Sequence, residues 1–259
     1  MTDIWRETVT VRFGSVDRSD RMSLWSIFNF FQEAALSHAT DLGVGRDALA
    51  RNRQGWILSR YSLVIARRPA YGETIEVSTW PRRWEKLFAL RDYEIRDGEG
   101  AAVVRGRAGW LIFDIDKRKP LRPGPVADLL PPNDGIDALL PAELSAGTSA
   151  CPAGLNPAEG LSKKMERTTS YSDIDYNGHV NNARYIQWIQ DAADFEILTN
   201  AGKVRFDINY LSEVMPGEIV EILSAPIHGP ANGTGPCFAF EGRRPGSGEA
   251  VFRSELRTG

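Results

Sequence analysis

The sequence predicts an α+β chain of two tandem units, each a long central helix wrapped by a curved antiparallel sheet. Three observations predict it. The pattern of residues 11–34 recurs at 169–192 without a gap, Asp175 standing 158 positions after Asp17. Alternating apolar and β-branched stretches follow in both copies, broken by Gly-containing turns, as antiparallel strands require. The first helical stretch carries Met22, Leu24, Ile27, Phe28, Phe30 and Phe31, which leaves little polar face and calls for burial on most sides. The length agrees, because 259 residues accommodate two units of about 120, each able to bury a core.

The elements follow in chain order. Val11–Asp17 and Thr169–Asp175 each read as a short strand running into a polar turn, and Met22–Ala34 and Val180–Ala192 as the helices behind them. Tyr61–Pro69 alternates and leads into Gly72–Val77; its counterpart Val204–Tyr210 leads into Gly217–Ile222. The offset here is 145, so the second copy is shorter between helix and strand. Phe88–Ile95 and Ala101–Phe113 flank Asp97-Gly98-Glu99-Gly100, a hairpin turn whose glycines tolerate positive φ. Cys237–Gly242 and Ala250–Leu256 flank Pro245-Gly246-Ser247-Gly248 in the same way. Between the copies, residues 117–165 hold about half of the 15 prolines and read as a linker or irregular cover, with a short helix at Val126–Leu130 or Gly135–Leu144. The expected division is a first unit at 1–118, a linker at 119–164 and a second unit at 165–259. A curved sheet around a mostly apolar helix is the hotdog arrangement, and two copies in one chain would pair their sheets into a double hotdog.

Composition narrows the function classes. A net charge of −3, no basic tail and no zinc-finger spacing argue against nucleic-acid binding. Cys151 and Cys237 lie far apart without a CxxC, which reads as free thiols in a reducing compartment. No basic segment leads into an apolar stretch at the N-terminus, and no run approaches the roughly 18 apolar residues of a membrane span. The expectation is a cytoplasmic protein.

Residues 173–188 carry the chemistry. Asp173, Asp175, Asn177 and His179 alternate, Gly178 lets the chain turn, and an apolar helical run follows. Groups able to polarise a carbonyl or a water are thereby delivered to the start of a buried helix. The plain alternative is that Asp175 and Asn177 only shape a turn or an N-cap. The first copy serves as a control: it keeps Asp17 but has Ser19 and Arg21 where the second has Asn177 and His179, so the fold does not require the polar set. That favours function in the second copy, scaffold in the first, and a capping role for Asp17. Asp173-x-Asp175-x-Asn177-Gly178 also imitates a calcium loop, but the twelfth position is Arg184 where a bidentate Glu is needed, so calcium is rejected. His38 and His228 have no partner pattern and read as surface or helix-end residues.

The stretch Asp173-x-Asp175-x-Asn177-x-His179-Val180-Asn181-Asn182-x-x-Tyr185-Ile186-x-Trp188 resembles the signature of acyl-ACP thioesterases of plant plastids and bacteria. Trp56–Arg60, Gly72-Glu73-Thr74 and Thr79–Arg82 are similar to the same family, so the resemblance spans nearly the whole chain outside the linker. It implies a double hotdog that hydrolyses the thioester of fatty acyl-ACP, with acyl carrier protein as partner and neither cofactor nor metal. The implied catalytic residues are Asp175, Asn177, His179 and Glu213, the last three positions past Tyr210. Plant members have Cys beside that Glu; here it is Val214, which favours direct attack by water. Asp175 or Glu213 would take the proton, Glu213 being preferred, if burial raises its pKa. N–H groups of the helix start after Gly178 would hold the oxyanion. Asn177 would position water or a carboxylate, and His179 would orient the carbonyl or share the proton. Substrate contacts are expected from Asn181, Asn182, Tyr185 and Trp188, and from Leu24, Phe28 and Phe31 along an acyl tunnel. Arg82, Arg83 and Lys86, and the Lys117-Arg118-Lys119 run, read as solvated charges or as docking points for the acidic carrier. Rival readings are an acyl-CoA thioesterase and a non-catalytic acyl-binding hotdog; either a monomer or a homodimer fits.

Overall fold

The computed structural model describes residues 3–140, 143–144, 152–227 and 235–259. The first half contains β1 (Trp5–Thr10), α1 (Leu24–Asp41), α2 (Arg46–Ala50), β2 (Gln54–Ile65), β3 (Thr74–Glu85), β4 (Phe88–Arg96), β5 (Ala102–Asp114), β6 (Lys119–Pro120) and α3 (Pro125–Leu129). The second contains β7 (Ser162–Thr168), α4 (Asn182–Ala192), α5 (Phe195–Thr199), β8 (Val204–Tyr210), β9 (Ile219–Pro226), β10 (Cys237–Arg243) and β11 (Ala250–Thr258).

One antiparallel sheet runs β1-β3-β4-β5-β2-β8-β11-β10-β9-β7, with β6 added beside β5. The order reads the same outward from the middle in both directions: β2 matches β8, β5 matches β11, and β1 matches β7 at the far edges. Two hotdog units therefore meet through β2 and β8, paired from Arg60↔Asn209 to Ile65↔Val204. At this seam Ser62 Oγ donates to the buried Asp207 carboxylate at 2.5 Å. The tandem hotdog expected from the repeat is the architecture observed.

The helices begin where the repeat predicts. Ser23 caps α1 by accepting the Ser26 N–H, and Asn181 caps α4 by accepting the Ala183 N–H. α1 packs against α4. Phe28 and Phe31 wedge between Tyr61, Tyr93 and Phe206, while α4 buries Tyr185, Ile186, Trp188 and Ile189. Each fully buried side chain of this size contributes roughly 1.5–3 kcal/mol of burial free energy.

The expected strands at 11–17 and 169–175 need correction. β1 and β7 stop at Thr10 and Thr168, and a single 3-10 turn follows in each copy, at Phe13–Ser15 and Tyr171–Asp173. Local bonds curl the chain: Ser15 N–H donates to Arg12 O in the first copy and Asp173 N–H to Ser170 O in the second, where the Asp173 carboxylate also accepts the Ser170 N–H.

Past α3, residues 133–138 lie on the face of the sheet opposite the helices. Tyr93 meets Phe31 of α1, so its neighbour Asp92 faces the other way, where Arg107 binds it at 2.5 and 2.7 Å and also reaches Asp137 at 2.7 Å. Ala138 N–H donates to Asp92, and Trp80 Nε1 to Ile136 O. Arg82 belongs to this anchor: it is 6% exposed, pairs with Asp137 at 2.8 Å and donates to the Asn133 and Ile136 carbonyls. Its assignment as a docking residue is thus corrected, whereas Arg83 and Lys86 are exposed near the β3–β4 hairpin. The helix expected near Val126–Leu130 is α3, and residues 135–140 carry no helix, with a turn at 134–135 and a bend at 138–139. Cys151 and His228 lie outside the described residues. His38 is at the helix end, in the last turn of α1, and is fully buried there and not at the surface, and Cys237 is a buried free thiol. No helix is long and apolar enough to cross a membrane among the described residues.

Candidate active site

The turn before α4 is built by its own polar groups. Asp175 N–H donates to His179 O at 3.0 Å, and Gly178 N–H to Asp175 O at 3.0 Å, with Gly178 at φ +85° closing the turn. The Asp175 carboxylate accepts the Asn177 N–H at 2.8 Å, an Asx-turn. Its other oxygen lies 3.4 Å from Asn177 Nδ2. The structural role that residue type alone suggests for Asp175 is therefore present. His179 Nδ1 is 3.2 Å from Val180 O; a proton on Nδ1 satisfies that carbonyl and leaves Nε2 as an acceptor.

Glu213 arrives on the loop after β8. Val180 N–H donates to Val214 O at 2.9 Å, which ties this loop to the turn. Arg244 holds the same loop through Ser212 Oγ at 3.1 Å and the Glu213 carbonyl. The Glu213 carboxylate is 36% exposed and pairs with Arg118 at 3.0 Å. Solvent therefore reaches it.

Asp175, Asn177, His179 and Glu213 all line one cavity of about 960 Å³, together with Asn181, Asn182 and Tyr185. Away from this polar end, the wall is largely apolar and comes from the first half: Ala35 and Ala39 of α1, Leu58 of β2, Ala89 of β4, Trp110 of β5 and Leu130. Burial pushes the Tyr185 and Tyr210 phenols up, so both stay neutral, and Tyr210 donates to Asn182 O at 3.1 Å. Among the described residues no group of three His, Cys, Asp or Glu is placed to hold a metal ion.

Two expectations change. Leu24, Phe28, Phe31 and Trp188 are buried in the core and are not part of the cavity wall, Phe28 meeting Tyr61 and Phe206 and Phe31 meeting Tyr93; α1 presents Gln32, Glu33, Ala35, Leu36 and Ala39 to the cavity. The oxyanion site placed just after Gly178 also shifts. α4 starts at Asn182, and the N–H groups of Val180, Asn181, Ala183 and Arg184 go to Val214 O, Asp173 O, Asn181 Oδ1 and Asn181 O. Only the Asn182 N–H lacks a partner in that run among the described residues. Gln32, Arg46, Arg118 and Arg244 complete the wall and were absent from the expected site. Arg118 carried a signal, being part of the basic run at 117–119; Arg46 and Arg244 carried none.

The first copy shows the same frame closed. Met22 N–H donates to Pro69 O at 2.8 Å, as Val180 does to Val214 O. By the offset of 145, the residue matching Glu213 is Arg68. It is 3% exposed; its guanidinium pairs with Asp17, the match of Asp175, and reaches Ser19 Oγ at 2.9 Å and Leu198 O at 2.7 Å. An ion pair fills the place that two carboxylates line in the second copy.

Comparison with known proteins gives consistent results. The sequence model of the acyl-ACP thioesterase N-terminal domain matches residues 2–125, and that of the C-terminal domain matches 158–252. The chain is 26% identical to the acyl-[acyl-carrier-protein] hydrolase FATB2, chloroplastic, of Cuphea viscosissima, covering 98% of this chain and 63% of that protein. It is 25% identical to oleoyl-acyl carrier protein thioesterase 2, chloroplastic, of Arabidopsis thaliana, over 85% of this chain and 62% of that one. The chain thus spans about three-fifths of the length of these curated relatives. An acyl-ACP thioesterase structure from Bacteroides thetaiotaomicron superposes with a TM-score of 0.78 at 25% identity, covering 99% of this chain and 98% of that one. The 12:0-ACP thioesterase of Umbellularia californica shares the fold, with a TM-score of 0.81 at 21% identity over 98% and 93% of the two chains.

Proposed function

The chain belongs to the acyl-ACP thioesterase family, and from that membership we propose that it hydrolyses fatty acyl-ACP to free fatty acid and acyl carrier protein. The observation that carries the reading is the convergence of Asp175, Asn177, His179 and Glu213 on one cavity whose first-half wall is largely apolar. Its volume of about 960 Å³ suits an elongated ligand.

The chemistry needs an activated water, a place for the oxyanion and a proton for the leaving sulfur. Water attacks the thioester carbonyl carbon while a carboxylate takes its proton. Glu213 fills this role: the Asp175 carboxylate is already committed to the turn through Asn177, whereas the Glu213 carboxylate pairs, among the described residues, with an exposed arginine. The Asn182 N–H, at the positive end of α4, faces the carbonyl oxygen as it gains charge. His179 Nε2 accepts a hydrogen bond from the attacking water or orients it. When the C–S bond breaks, the proton held by the carboxylate passes to the thiolate of the carrier arm. Arg83 and Lys86, with Arg118 at the cavity, are cations suited to an acidic carrier. We place the reaction in a reducing, cytoplasmic setting on the cysteine usage alone.

Comparing kcat/KM for acyl-ACP and acyl-CoA of equal chain length tests the substrate. A clear preference for the carrier protein supports the reading; equal or faster turnover of the CoA thioester replaces it with an acyl-CoA thioesterase. Tight acyl-thioester binding without turnover would make the chain a binding module.

A further inference from the structure

The two-fold relation of the halves exposes a residue that the motif does not contain. Gln190 of α4 reaches across to α1, where its Oε1 accepts the Trp25 N–H at 2.7 Å and caps that helix. The offset of 158 that aligns the helices makes Gln32 of α1 its counterpart, and Ala183 of α4 the counterpart of Trp25. The reciprocal cap is not made. Asn181 Oδ1 has taken the Ala183 N–H at 2.8 Å, whereas its first-copy equivalent, Ser23, spends its hydroxyl on Ser26. Gln32 is thereby released: it has no hydrogen-bond partner among the described residues, and it lines the cavity that holds Asp175, His179 and Glu213.

We propose that Gln32 is a further catalytic residue, whose Nε2 donates a hydrogen bond to the thioester carbonyl oxygen as it becomes an oxyanion. The inference rests on the thioesterase reading and deepens it. The first half then supplies one donor and the backbone N–H of Asn182 the other, so the active centre is composite. At the pseudo-symmetric site the second copy's glutamine, Gln190, is occupied with holding α1, and the place corresponding to the active centre is filled by Arg68 of the first copy. The two departures from symmetry act together: where Gln190 faces the first-copy turn the glutamine is a cap and Arg68 closes the site, and where Gln32 faces the second-copy turn the glutamine is free and the site is open. The pair of donors is what a tetrahedral intermediate of acyl transfer requires.

The test separates a donor from a mere helix cap. Gln32→Met removes the amide with little change of volume, and Gln32→Glu keeps an acceptor able to cap α4 but has no donor when ionised. Both variants should lose about 10²–10³-fold in kcat, the usual cost of one oxyanion donor, with KM and Tm close to wild type. Gln190→Ala is the structural control and should lower Tm while sparing kcat. Full activity in Gln32→Met, or activity retained in Gln32→Glu alone, overturns the proposal while leaving the thioesterase reading intact. A wild-type enzyme inactive on every acyl-ACP overturns both.

Discussion

Replacing Arg68 tests the division of labour between the two copies. Its guanidinium is 3% exposed and satisfies the Asp17 carboxylate, Ser19 Oγ and Leu198 O. Arg68→Met strands a carboxylate that is 21% exposed and a carbonyl that no longer has its donor. Breaking a buried ion pair from one side costs about 3–5 kcal/mol. Water reaches Asp17 in part, so the lower figure applies, about 3 kcal/mol. At about 2–4 °C per kcal/mol for a chain of this size, Tm should fall by roughly 6–12 °C. Adding Asp17→Asn should recover about 2 kcal/mol, because the stranded charge is removed with its partner. Thermal unfolding followed by circular dichroism gives the shift, and acyl-ACP turnover below the transition gives kcat, which should be unchanged. A variant with wild-type Tm, or one that stays folded and loses turnover, would refute the claim that the first-copy turn is scaffold.

Other outcomes follow from the same structure. Burial, and next the Arg91 guanidinium, hold the His38 imidazole below its ordinary value near 6.5, against the opposing pull of Asp3 and Asp41. The unfolded chain therefore takes up this proton first as pH falls, so the contribution is full above about pH 6.5 and is lost as pH drops toward the lowered folded value. Wild-type Tm should decline between about pH 7 and pH 5, and His38→Gln should flatten that slope. Gly178→Val forces a β-branched residue to φ +85°, at about 1–2 kcal/mol of backbone strain, and should depress kcat through the displaced Asp175 and His179. Cys237 is buried in β10 and is not part of the cavity wall, so Cys237→Ala should leave kcat unchanged in the same turnover assay.

The repeat made most of the fold legible, because each copy carries the same turn, helix and meander at fixed offsets; that β2 and β8 form the shared seam is visible only in the structure. The misread strands at 11–17 and 169–175 show the limit. Alternation continues through Val11-Arg12-Phe13, but the 3-10 turn is set by local bonds that alternation does not encode. The motif placed four catalytic candidates on one cavity. Phe28 and Phe31 were misplaced because a helix apolar on nearly every side does not declare which edge is left for a ligand. Arg82 was misread as a surface charge because its partners, Asn133, Ile136 and Asp137, lie in a linker with no periodic pattern to anchor it. Gln32 was visible in principle, since it aligns with Gln190; only the unequal capping of the two helices showed that one glutamine is engaged and the other is not.

The central claim is that the second-copy polar set hydrolyses acyl-ACP, and fatty-acid release from a series of acyl-ACPs tests it most directly, with His179→Ala and Glu213→Gln measured alongside. The account predicts release by the wild type and a loss of about 10²–10⁴-fold in kcat in each folded variant. No release from any acyl-ACP, or variants as fast as the wild type, would contradict it.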